Sequence, residues 1–232
     1  KITRLWEVAT RVKAMELRLA RGQAPMAFVR PGQWVDFHIP AMPNKVGGFS
    51  LCSTPRQLPT LELAVKASDN APAMWVHEEA SVGDEVALRV GGTFSCFGPQ
   101  GEPPQEPLLL VAGGIGITPL VSMFSAVCEL DDAEDGSAPP VSLHYSARDD
   151  ADFAYAEELL ALAAARPQTR RVVLHRTRDG ARVGVPQLRD AAIGGGLDAS
   201  RVFLCGPPAM VEDLRVELKD ETTLGVHFEK WW

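Results

Sequence analysis

Three short segments combine glycine, hydroxyl and thiol side chains at spacings that could hold and orient a reactive ligand. The first is Ala112-Gly113-Gly114-Ile115-Gly116-Ile117-Thr118-Pro119, which follows the apolar run Leu108–Ala112 and opens a helical pattern. Glycines let the backbone approach a ligand closely. The free N–H groups and positive dipole end of a helix N-terminus attract a pyrophosphate. Thr118 is placed to cap that helix, and Pro119 suits its first position. The spacing is not G-x-G-x-x-G, so the nucleotide reading rests on the strand–glycine–helix context, and a plain tight turn would use the same glycines. The second segment is Phe203-Leu204-Cys205-Gly206-Pro207-Pro208-Ala209-Met210, at the end of another apolar run. Its cysteine could face a ligand, although packing is the commoner role for that residue. The third, Gly47-Gly48-Phe49-Ser50-Leu51-Cys52-Ser53-Thr54-Pro55, reads by itself as a glycine turn and a short strand bearing hydroxyls.

Two different halves must position these segments. Residues 98–107 read GPQGEPPQEP, with four prolines and two glycines, a composition that breaks helix and strand and marks a boundary. Before it, 34–39, 61–66 and 86–90 alternate apolar and polar residues as half-buried strands do. Turn signals separate them, and a short helix is predicted over 72–79. Short antiparallel strands over about 100 residues predict a small β-barrel spanning 1–100. After the seam, strands at 108–112, 141–146, 172–176, 202–205 and 226–229 alternate with helices beginning near Leu120 and at 152–165, 186–193 and 208–219. That rhythm predicts a five-stranded parallel sheet with helices on both faces, spanning 108–232. With strand order 3-2-1-4-5, Gly113–Gly116 and Cys205–Pro208 would flank one crevice at the point where the order reverses.

Composition sets the outer limits. The chain has 232 residues, 46% hydrophobic and 23% charged, which excludes a disordered, collagen-like or coiled-coil protein. The net charge of −7 argues against nucleic acid as a partner. No apolar run approaches the roughly 20 residues that cross a bilayer. Cys52, Cys96, Cys128 and Cys205 are too widely spaced for a zinc or iron–sulfur site and suit a reducing compartment. The histidines have no ligand spacing either, so no metal is expected. The acidic stretch Glu129–Pro140 reads as a solvated loop. The chain starts at Lys1, with no signal or transit peptide in view, which leaves open whether a targeting segment was trimmed or removed.

Taken together, these segments resemble the ferredoxin–NADP⁺ reductase superfamily, in which a flavin-binding barrel precedes a nicotinamide-nucleotide domain. The likeness covers nearly the whole chain. Pro31-Gly32-Gln33-Trp34-Val35, Phe49-Ser50-x-x-Ser53 and Leu63-x-Val65-Lys66 resemble its flavin segments. Gly113–Pro119, Tyr145-Ser146-Ala147-Arg148 and Cys205-Gly206-Pro207-Pro208 resemble its nucleotide segments. More narrowly, GGFS, Trp75-Val76-His77 and the ending Phe228-Glu229-Lys230-Trp231-Trp232 look like the oxidoreductase NAD-binding domain-containing proteins, a group usually assigned to mitochondria.

The resemblance implies an NAD(P)H oxidoreductase that passes a hydride to bound FAD and electrons on to a separate acceptor. It implies that Phe49 packs on the isoalloxazine, that Ser50 hydrogen-bonds near N5, and that Ser53 and Lys66 hold the flavin chain. It puts Gly113, Gly114, Gly116 and Thr118 on the nicotinamide nucleotide, with Tyr145, Ser146 and Arg148 along its ribose and phosphates. Cys205, with Gly206 and Pro207, would lie by the nicotinamide, and Glu229 and Trp232 near the flavin. Two departures weaken the flavin phosphate contacts. Gly47 stands where the family has arginine, and Ala73 lies where a hydroxyl is usual. They leave a second expectation: a non-catalytic or weakly flavinated accessory subunit of a larger mitochondrial, respiratory assembly. Arg176 and Arg178 are candidates for a 2′-phosphate, with surface charge as the competing reading.

Overall fold

The computed structural model describes residues 1–20, 30–133, 138–180 and 182–230. Six antiparallel strands form the first half: β1 (Ile2–Ala9), β2 (Val12–Arg18), β3 (Trp34–His38), β4 (Val46–Ser50), β5 (Thr60–Lys66) and β6 (Ala87–Gly91). They make two three-stranded sheets, β1-β2-β5 and β4-β3-β6, joined where Leu51 bridges Leu63. Alternation drives the packing. Val35 and Phe37 of β3 and Leu61, Leu63 and Val65 of β5 all point into one core. Helix α1 (Ala71–Glu78) lies against it with Trp75 and Val76 inward. His77 Nε2 meets the Val65 carbonyl at 2.9 Å, and Lys13 Nζ donates to the His77 carbonyl at 2.8 Å, so α1 is tied to β5 and β2.

The second half contains β7 (Leu108–Gly113), α2 (Ile117–Ala133), β8 (Val141–Ala147), α3 (Ala156–Ala165), β9 (Arg170–Arg176), α4 (Val185–Ala191), β10 (Arg201–Gly206), α5 (Pro208–Leu218) and β11 (Val226–Lys230). The sheet order β11-β10-β7-β8-β9, all parallel, is the predicted one. Buried runs such as Leu108–Val111 serve two cores. Leu108 and Leu110 join the α2 and α3 side, whereas Leu109 and Val111 join the α4 and α5 side.

Two local expectations are corrected. The helix read over 152–165 is split, because Tyr155 takes a left-handed conformation (φ 62°) and α3 starts only at Ala156. The Tyr155 hydroxyl donates to Glu62 Oε1 at 2.6 Å, a tie to the antiparallel half that holds this residue in place. The acidic stretch is also less loop-like than expected, since α2 runs on to Ala133. Glu129 accepts the Thr54 hydroxyl at 2.7 Å, and its carbonyl accepts from Arg56. With Ser122 Oγ donating to the Ser53 carbonyl at 2.6 Å, these bonds fasten the two halves together.

Candidate functional site: two cavities on one glycine loop

The residues after β7 form the common wall of two cavities. Gly113 and Gly114 border one, of about 660 Å³, and Ile115 and Thr118 border the other, of about 540 Å³. Both volumes lie within the usual range for small-molecule sites, roughly 300–1,000 Å³.

The glycines of this loop have different reasons to be glycine. A Cβ on Gly113 would lie 2.8 Å from Met210 Sδ, and one on Gly116 would lie 2.5 Å from the carbonyl carbon of Cys205. At both positions the chain at and after the end of β7 is pressed against the end of β10 and the start of α5, so close approach excludes a side chain. Gly114 faces open space but has φ +53°, the left-handed region that disfavours a Cβ. The sequence expectation at the helix start is corrected: α2 begins at Ile117, and the Thr118 hydroxyl donates to the Ile115 carbonyl at 3.0 Å instead of capping.

The larger cavity is bordered by Ser146 and Ala147 from the end of β8, Thr177 after β9, and Pro207 and Met210 beside α5. Ser146 Oγ is buried and has no hydrogen-bond partner among the described residues, a costly state unless a ligand supplies the partner. Arg182, Asp213 and Glu217 bring charge to its rim. Two residues beyond Ser146 on the same strand face lies His144, whose Nδ1 meets His175 Nε2 at 2.9 Å. Desolvation, helped by His175, lowers the His144 pKa to about 4, so the pair is neutral near neutral pH.

The smaller cavity joins the halves. Gly48, Phe49 and Ser50 come from β4, Lys66 from the end of β5, Ala73 from α1, and Lys230 from the end of β11. Phe49 stands edge-on to Phe37, with ring centroids 5.6 Å apart. Ser50 is 3% exposed and its hydroxyl has no partner. Lys230 is ion-paired with Glu212, while Lys66 is exposed and enters no ion pair given among the described residues. The Phe49 and Ser50 end offers an aromatic ring and a buried hydroxyl, the groups that a planar ring with hydrogen-bonding edges would meet. The cationic end is sparse.

Ser50, Phe49, Lys66, Gly113, Gly114, Thr118, Ser146 and Pro207 therefore border the cavities. Other expected residues lie elsewhere. Ser53 lines a separate cavity of about 140 Å³ at the seam between the halves, where its hydroxyl accepts the Glu62 N–H at 3.0 Å. Tyr145 points to the opposite face of the sheet from Ser146. Its ring packs on Phe153 and its hydroxyl accepts the Ala154 N–H at 3.1 Å, so it is a core residue. Cys205 is fully buried and packed in the core beneath the glycine loop, so its side chain borders neither cavity; Gly206 follows it in contact with Gly113. Arg148 is exposed beside Asp149 and outside both cavities. Glu229 is half-buried, paired in register with Cys205. Trp232 lies outside the described residues. Arg176 is bound to Asp150 and Asp179, and Arg178 to Asp149 at 2.9 Å, so both read as paired surface charge. Ile115, Arg182, Asp213 and Lys230 were not singled out as site residues. Ile115 has a sequence signal, its place between the glycines, and Lys230 stands within the terminal motif.

Residues 110–216 match the family model described as the oxidoreductase NAD-binding domain. In solved structures the fold is similar to the flavohem-like FAD/NAD binding domain of nitric oxide dioxygenase from Vibrio cholerae (TM-score 0.76, 18% identity, 99% of this chain and 96% of that one). It is similar also to ferredoxin–NADP⁺ reductase from Plasmodium falciparum with 2′P-AMP (TM-score 0.76, 14% identity, 100% and 94%). A curated relative, oxidoreductase NAD-binding domain-containing protein 1 of Danio rerio, is 37% identical over 95% of this chain and 87% of its own length. An identity of that extent, on a fold whose glycine loop walls two cavities, makes this chain a member of the oxidoreductase NAD-binding domain-containing protein family.

Proposed function

We propose that this protein transfers a hydride from NADH or NADPH, held in the cavity floored by Ser146, to a flavin, with FAD as the first choice, whose ring lies in the cavity containing Ser50. One observation carries this reading: a single glycine loop walls both cavities, and each cavity has a buried serine hydroxyl without a partner. The flavin, when bound, supplies an atom that accepts a hydride and a ring that can release electrons singly. The chain's part is alignment and exclusion of water. Ser50 donates to the ring's polar edge, and Phe49 covers an apolar face. Ile115 and Thr118 separate the ring from the loop backbone. On the other side, the N–H groups around Gly114 and the Ser146 hydroxyl hold the nucleotide's phosphates and ribose. Cys205 supports the loop from beneath, and Glu229 lies beside Cys205 on the neighbouring strand. Electrons then pass to a separate acceptor. A mitochondrial location goes with this reading as a proposal, which fractionation of cells expressing the full-length protein tests.

The function is tested by following NADH or NADPH oxidation on addition of a flavin. Oxidation that needs protein and flavin together, and that saturates in both, supports the reading. Oxidation that ignores the flavin contradicts it.

A further inference from the structure

We propose that this protein holds its flavin by the ring and not by the phosphate chain, so that flavin is a substrate that binds oxidised and leaves reduced. The proposal rests on the hydride-transfer reading above. The ring end of the cavity is complete: Ser50 offers a buried hydroxyl, Phe49 is locked against Phe37, and Ile115 and Thr118 close the far side.

The other end of the cavity carries little charge, and a side chain at 47 could enter only by displacing the ring of Phe49. A Cβ on Gly47 would lie 2.6 Å from Phe49 Cε2, 2.9 Å from Phe49 Cζ and 2.9 Å from Pro72 Cβ. The ring that lines the cavity therefore occupies the exit of any side chain at 47. The first turn of α1 offers few donors in compensation. Pro72 has no N–H, Ala73 has no hydroxyl, and the Met74 N–H is spent on the Asn70 carbonyl at 2.9 Å. Of the two lysines that border the cavity, Lys230 is held by Glu212. Ser68 and Asn70 also border the cavity but are neutral, which leaves Lys66 as the cation there without an ion pair among the described residues, and an exposed charge pair strengthens binding by about fivefold or less. Phosphate and AMP groups thus add little to what the ring supplies.

The reaction balances without a further oxidant. The C4–H bond of the nicotinamide breaks with its electron pair, and an N–H bond forms at flavin N5. A proton from solvent joins the flavin. NAD(P)⁺ and dihydroflavin then leave.

The test is a titration of the purified chain with riboflavin, FMN and FAD, read by equilibrium dialysis, together with gel filtration after loading with FAD. The expected result is three dissociation constants within about tenfold of one another, and FAD lost on the column. Lys66→Ala should weaken FMN about fivefold more than riboflavin, which carries no phosphate. FAD bound a hundredfold or more tighter than riboflavin, and retained on the column, would overturn the proposal while leaving the hydride-transfer reading intact. Failure of all three flavins to bind would overturn both.

Discussion

The two cavities share a wall yet differ in how firmly their anchoring ends are built. Beside the cavity proposed for the nucleotide, Gly113 and Gly116 are pressed against the end of β10 and the start of α5, so the anchor is part of the sheet's own packing. In the cavity proposed for the flavin, the anchor that the family resemblance implies would be side chains at 47 and 73, and these are glycine and alanine. Such side chains can be lost while the strand that carried them survives. Loss of the loop glycines would disrupt the junction of β7, α2 and β10. On the proposed reading, the contrast explains how the loop can frame a nucleotide beside a cavity with little to hold a flavin phosphate.

The sharpest way to break that contrast is to add one methyl group on each side. Gly116→Ala meets the Cys205 backbone, which cannot move without shifting β10. It should cost about 3 kcal/mol, lower Tm by roughly 6–12 °C, and abolish nucleotide binding in an NADH titration. Gly47→Ala meets the Phe49 ring and Pro72, which can shift, and should cost only about 1 kcal/mol in a denaturant melt.

Acid should separate the regions next. His144 lies under the nucleotide cavity with a pKa lowered to about 4 by burial and by His175. The folded state binds fewer protons there than the unfolded one, so stability falls as pH drops from about 6.5 toward 4, by about 2–3 kcal/mol. Glu62 and Glu158 at the seam between the halves have raised pKa values, chiefly through desolvation. Their contribution runs the other way. It is fully present below about pH 4.5, the ordinary glutamate value, and is lost as pH rises through their higher folded values. Urea melts across pH should therefore show a slope that His144→Asn flattens and Glu62→Gln steepens.

The serines give a smaller effect with a distinctive signature. Ser146→Ala and Ser50→Ala each remove a buried hydroxyl that has no protein partner, so Tm should hold or rise slightly. Each should lower kcat/KM about tenfold. The Ser146 change should act through the nucleotide KM and the Ser50 change through the rate of flavin reduction.

The sheet order and the glycine loop were legible because they rest on local pattern: apolar runs, glycine after a strand, helical spacing after glycine. Side-chain direction was legible in part and passed over. Strand alternation alone puts Val141, Leu143 and Tyr145 on one face and Ser142, His144 and Ser146 on the other, so Tyr145 and Ser146 cannot both face a ligand. Ser53 could not be placed from sequence, because its partners are Glu62 and Ser122, which only the folded chain brings to it. Nor could the left-handed Tyr155, a residue type that gives no hint of φ above zero. Arg182 and Asp213 reach the larger cavity from the segment before α4 and from α5, with no local motif to mark them.

The central claim is that the two cavities work as a pair across one loop. The most direct measurement is a single-turnover, anaerobic reaction of the flavin-loaded protein with NADH or NADPH deuterated at either face of C4, followed by the bleaching of the visible flavin band. The account predicts that the band bleaches and that deuterium on one face, but not the other, slows it. A band that both nucleotides leave unchanged would contradict it.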